Sequence, residues 1–153
     1  MNCKQKRERY RRIYKQLKLL FQKVPDPIAR MSTVAAVLHH KFDYYFWTGF
    51  YTLKDGELIV GPYQGPVACL ILEKDKGVCW AGINQKKTII VPDVEKFPDH
   101  IACDNRSRSE IVIPLSDHNK QIFGVLDVDS KSLDSFDEID KAGLEQIVKL
   151  IFS

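Results

Sequence analysis

Residues 44–65 constrain the fold more than any other stretch. They read YYFWTGFYTL (44–53), then KDG, then ELIVGPYQG (57–65), two runs rich in aromatic and β-branched residues around a three-residue turn. A link that short joins antiparallel neighbours, because a parallel crossover needs a dozen or more residues. The pattern recurs near the C-terminus, where EIVIPL (110–115) and KQIFGVLDVDS (120–130) flank SDHN. VACLIL (67–72) and TIIVPDV (88–94) read as two more strands, separated by a short helix over GVCWAGINQKK (77–87). The expectation is an α+β fold with a central antiparallel six-stranded sheet.

Helices bracket that sheet. Over residues 1–25, Tyr10, Ile13, Tyr14, Leu17, Leu20, Phe21 and Val24 recur at helical spacing on one face. Residues 1–24 also hold nine Lys or Arg against Glu8 alone, a balance of +8, while the rest of the chain carries −5. A basic start can serve nucleic acid or mitochondrial targeting, but the apolar face favours an amphipathic helix packed on the domain with a solvated basic side. A second helix starts at Asp26 as N-cap with Pro27 at the first helical position, and turns Ile28, Met31, Ala35, Leu38 and Phe42 inward. His39 and His40 fall near its end, as capping or surface groups rather than metal ligands. The last helix is expected from Ser135, at capping-box spacing from Glu138, with Ile139, Ala142, Ile147, Leu150 and Ile151 inward. The terminal helices then cover one sheet face, and the loops between the third and sixth strands cover the other. No repeat, low-complexity tract or linker interrupts residues 1–153, so one domain is expected. No apolar run reaches the ~20 residues of a membrane span and no signal peptide opens the chain. The four cysteines are therefore expected as reduced thiols of a cytoplasmic protein.

Several residue types carry chemistry. In GVLDVDS, strand alternation points Asp127 and Asp129 the same way, ~7 Å apart, with Leu126 and Val128 on the core side. Glu110 opens the neighbouring strand and can join them. Such a cluster suits an ammonium group or holds one carboxyl protonated, and an exposed acidic edge is the equal alternative. Trp47 and Tyr51 share a strand face with Gly49 between them leaving space, an aromatic wall for a small apolar group or a cation, or simply core. Cys103 sits among Asp104, Asn105, Arg106 and Arg108, polar surroundings in which a thiol ionises and reacts. If Cys69 and Cys79 flank the same loop cluster, either can resolve a sulfenic acid formed on Cys103. Cys69, Cys79, Cys103 and His100 can be counted as four zinc donors, yet no CxxC or CxxH pair occurs, so redox chemistry ranks above metal binding. His100 would lower the Cys103 pKa as an imidazolium and Asp104 would raise it.

GPYQGPVAC, KGVCWAG, FPDHIACDNRSRSEIVIPL and GVLDVDS, followed by FDEIDKAGLEQI, resemble the free methionine-(R)-sulfoxide reductase family, whose members are built on a GAF domain. The match runs from about Tyr45 to the C-terminus. The cysteine spacing agrees, with nine residues between Cys69 and Cys79 and 23 between Cys79 and Cys103. The resemblance implies a GAF-like fold with Cys103 as the attacking thiol, Cys69 as the main resolving cysteine and Cys79 as an auxiliary one. It implies that Trp47 and Tyr51 line the substrate pocket. Glu110, Asp127 and Asp129 match the pocket carboxylates, with Glu110 and Asp129 as candidates for the catalytic acid. It further implies no bound cofactor or metal, reduction by thioredoxin (or dithiothreitol in vitro), and a homodimer. Trp80 in KGVCWAG and the turn SDHNKQ depart from the family pattern. A non-catalytic GAF sensor for a small molecule and a thiol redox switch are the competing functions.

Overall fold

The computed structural model describes residues 1–153. Helix α1 (Cys3–Leu20) starts in a reciprocal cap between Asn2 and Gln5, and a single 3₁₀ turn (Phe21–Lys23) follows it. Helix α2 (Pro27–Lys41) begins where expected, with the Asp26 carboxylate accepting from the Ala29 amide. Strands β1 (Trp47–Lys54), β2 (Glu57–Gln64) and β3 (Ile71–Leu72) precede helix α3 (Gly77–Gln85). Strand β4 (Ile89–Val91), the hairpin β5 (Ser109–Ser116) and β6 (Ile122–Ser130), and helix α4 (Glu138–Val148) complete the chain. The six strands form one antiparallel sheet in the order β3-β2-β1-β6-β5-β4. No helix is long and apolar enough to cross a membrane.

The sheet separates two cores. On one face Phe50, Ile111, Ile113, Leu126 and Val128 pack under α1, α2 and α4, meeting Leu17, Leu38, Leu144 and Ile147. On the other, Trp47, Tyr51, Leu58, Val112 and Val125 meet Val78, Cys79 and Trp80 of α3. The helical layer is tied by buried polar groups. Asp140, fully buried, accepts from the hydroxyls of Tyr10 and Tyr44 at 2.6 Å each and pairs with Lys6 Nζ at 2.5 Å, which joins α1, α4 and the approach to β1. The Arg30 guanidinium donates to the carbonyls of Phe21, Val24, Leu150 and Ser153, closing the C-terminus onto α2.

Four details differ from the sequence expectation. The third strand spans two residues instead of six, because Gly65 adopts φ +118° and Pro66 lacks an N–H, so the chain leaves the sheet between Gln64 and Leu70. The strand expected at 88–94 stops at Val91, just before Pro92. The last helix is capped by Asp137 reciprocally with Asp140, while the Ser135 hydroxyl bonds Ser130 and the Ser132 carbonyl. Leu20, Val24, Ile28 and Ala142 face solvent, and Val34 and Leu144 take inward places instead. The tighter 3₁₀ turn rotates Phe21 inward and leaves Leu20 outside.

Candidate active site

The carboxylates come from the centre of the sheet. Register pairs Asp129 with Trp47 on β1 and with Glu110 on β5, and Asp127 with Gly49 on β1 and Val112 on β5. All three acidic side chains therefore rise from one face, where alternation places them opposite Leu126 and Val128 of the other core. Glu110 and Asp127 are each only 5% exposed, and Asp129 is partly exposed at the rim. Burial pushes the Glu110 carboxyl well up, and the charges of Asp127 and Asp129 push it further. Burial raises Asp127 as well, and raises Asp129 strongly. One oxygen of Asp127, Oδ1, has no hydrogen-bond partner in the protein. A buried carboxylate oxygen left unpaired is costly, so this position suits a ligand that donates hydrogen bonds or positive charge.

Trp47 and Tyr51 stand on the same face of β1. The space above Gly49 is not a gap: a Cβ there would meet the Trp47 ring at 2.7 Å, so the indole lies across the glycine. The ring stacks between Tyr51 (centroids 5.7 Å) and Tyr63 (5.2 Å). Tyr63, in the quoted GPYQG stretch, joins the wall by facing Gly49 across the β1–β2 pair, a placement that needs the register. Burial, reinforced by Asp127, pushes the Tyr51 phenol upward and keeps it a donor.

The thiols divide sharply. Cys103 is exposed and forms a disulfide with the half-buried Cys69, with Cα atoms 5.5 Å apart. Cys79, two residues into α3, is buried and free, and its donor atom lies within 4.8 Å of Glu110 and Asp127. Those three groups are close enough to share a cation. Burial raises the Cys79 thiol well above its ordinary range, with Asp127 adding to the effect, so it stays protonated. Cys3 is free and exposed at the start of α1. The four-donor zinc set of Cys69, Cys79, Cys103 and His100 is not assembled, because two of its sulfurs are bonded to each other.

Neighbours of Cys103 take other parts than the sequence suggested. Burial lowers the His100 pKa, and its Nδ1 is unpartnered, so it is a neutral ring near neutrality rather than a cation. Asp104 is gripped by Arg106, Nε to Oδ1 at 2.9 Å and Nη2 to Oδ2 at 2.7 Å, which holds its carboxyl down at about 2. Arg106, unassigned from the sequence, thus neutralises the charge next to Cys103. Trp47, Tyr51, Cys79, Cys103 and the three carboxylates line one chamber, roofed by Val67, Ala68 and Ile101. Its space open to water is about 50 Å³.

Residues 31–151 match the family described as GAF domain. The chain is 38% identical over 150 residues to the free methionine-R-sulfoxide reductase of Saccharomyces cerevisiae, covering 91% of this chain and 83% of that one. It belongs to the free methionine-(R)-sulfoxide reductase family of GAF domains. A solved free methionine-R-sulfoxide reductase from Neisseria meningitidis, in complex with its substrate, superposes with a TM-score of 0.88 at 40% identity, over 93% of this chain and 85% of that one. A GAF domain-containing protein A of Dictyostelium discoideum is 48% identical over 147 residues, 95% of this chain and 92% of that one. The antiparallel sheet with helices on one face and a loop-roofed chamber on the other is therefore the scaffold of the free methionine-(R)-sulfoxide reductase family in this chain.

Proposed function

We propose that this protein reduces free L-methionine-(R)-sulfoxide to methionine, with Cys103 as the attacking thiol. The single observation that carries the reading is the convergence of Cys103 and three carboxyls, two of them buried, on one small chamber, with Cys69 bonded to Cys103. The Cys103 thiolate attacks the sulfoxide sulfur while a protonated carboxyl of the Glu110–Asp127–Asp129 set hydrogen-bonds the oxygen. The substrate S–O bond breaks, the oxygen passes to Cys103 as a sulfenic acid, and two electrons move from thiol to methionine sulfur. Cys69 thiolate then attacks Cys103 sulfur, the disulfide forms, and the oxygen departs as hydroxide that takes a proton to become water. Thioredoxin restores both thiols by exchange.

The upward-shifted carboxyls support a proton held near neutrality, since like charges at close range cannot all ionise. The charge that remains, with the unpartnered Asp127 Oδ1, suits the ammonium of a free amino acid. Trp47 and Tyr51 would hold the S-methyl group against their ring faces. Cys79, buried and protonated, fits an auxiliary role in which it must first be brought to Cys103. The family resemblance adds a homodimer in the cytoplasm as the working form. Cys103→Ser should abolish consumption of free methionine-(R)-sulfoxide in a thioredoxin-coupled assay, with no turnover of the S epimer or of a peptide-bound sulfoxide by the parent protein. Retained activity in the variant would remove the mechanism.

A further inference from the structure

Between Gln64 and Leu70 the backbone leaves the sheet, and no residue from Gly65 to Cys69 shares a backbone–backbone hydrogen bond with any other. The segment is instead held from the pocket wall. Trp47 Nε1 donates to the Pro66 carbonyl at 3.1 Å, and Tyr51 Oη donates to the Cys69 carbonyl at 3.1 Å. The two donors stand four residues apart on one face of β1, and the two acceptors lie three residues apart on the segment. Side chains of a rigid central strand thus take the place of the missing ladder.

We propose that Tyr51, with Trp47, is a positioning residue for the thiol of Cys69, fixing the 65–69 segment so that this sulfur meets the oxidised Cys103. The proposal rests on the division of labour given above, Cys103 oxidised and Cys69 resolving, and adds a role that the substrate-pocket reading does not contain. After methionine leaves, the segment has no backbone partner to return to. The phenol and the indole supply the return. The Tyr51 hydroxyl stays protonated because it is buried beside carboxylates, so the bond persists across the working pH range. A neutral hydrogen bond of ordinary strength favours the held position of the segment over a released one by roughly three- to tenfold.

The test leaves methionine sulfoxide out, so its failure is distinct from failure of the proposed reaction. Reduced protein receives one equivalent of hydrogen peroxide. Cys103 thiolate takes one peroxide oxygen and releases hydroxide. Cys69 thiolate then displaces hydroxide from the sulfenic acid. Dimedone traps the sulfenic acid, and mass spectrometry of alkylated peptides follows the Cys69–Cys103 disulfide with time. Tyr51→Phe keeps the ring and removes only the donor; its disulfide should form about three to ten times more slowly, with the Cys103–dimedone adduct rising toward the level of Cys69→Ser. Trp47→Phe removes the other anchor and should slow the same step, and a role in packing alone would change melting temperature without changing the partition between adduct and disulfide. Wild-type rates of disulfide formation and wild-type adduct levels in both variants would overturn the proposal.

Discussion

Cys79 and Cys103 carry the same thiol into opposite surroundings. One is sealed beside two acids and held protonated, and the other stands in a polar loop where the adjacent carboxylate, Asp104, is already paired with Arg106. Iodoacetamide applied to the reduced native protein should therefore label Cys103 far faster than Cys79 at pH 7.5, a difference that peptide mapping would read. The carboxyls give a sharper prediction. A folded-state pKa raised above its unfolded value means that the native state holds the proton more tightly. Its stabilisation is complete below the unfolded carboxyl range of about 4 and is lost as pH rises through the shifted value. Glu110→Gln should thus melt higher than the parent at pH 7.5, by about 2–4 °C for each kcal/mol of relieved repulsion, and lose this advantage near pH 4. Its activity should fall and the alkaline limb of its pH profile should change, because one acid has left the set. The acids, the aromatic wall and the cysteines were legible as residue types. Strand alternation alone puts Asp127 and Asp129 on one face with Glu110 able to join them. The meeting of that set with the aromatic wall and the cysteines was legible only through family resemblance, since register across β1, β6 and β5 decides it.

Among the elements, the hairpins and both long helices could be read directly, because short turns and apolar periodicity are local signals. The third strand could not. VACLIL has the composition of a strand, but Gly65 and Pro66 send the backbone away before it can pair, and the freed segment is what carries Cys69. The start of α4 differs from the expectation for a similar reason, as two overlapping caps compete and Asp137 wins through its pairing with Asp140. Asp140 itself anchors three elements without touching the site. Asp140→Ala should lower the unfolding free energy by about 1–3 kcal/mol, since Tyr44 loses its acceptor while Lys6 keeps only Asp137 and Tyr10 keeps only Tyr45. Urea titration would measure the loss, while the chemistry of the remaining folded protein should be unaltered.

At the scale of the molecule, the proposed redox cycle would change both stability and access. The Cys69–Cys103 bond closes a loop of sequence separation 34, which by chain entropy stabilises the oxidised form by about 3–4 kcal/mol. Calorimetric melting of the two forms should show the oxidised one higher by roughly 6–16 °C. In the disulfide form the chamber has space for a few water molecules only. Titration calorimetry should accordingly detect methionine-(R)-sulfoxide binding to reduced Cys103→Ser and none to the oxidised parent protein. The sheet that divides the two cores then has a further consequence. Cys69 and Cys79 lie with the smaller core on the α3 side, while the larger core beneath α1, α2 and α4 contains no cysteine. Amide deuteration of the oxidised and reduced forms should therefore differ on the α3 side of the sheet and agree across the amides beneath α1, α2 and α4.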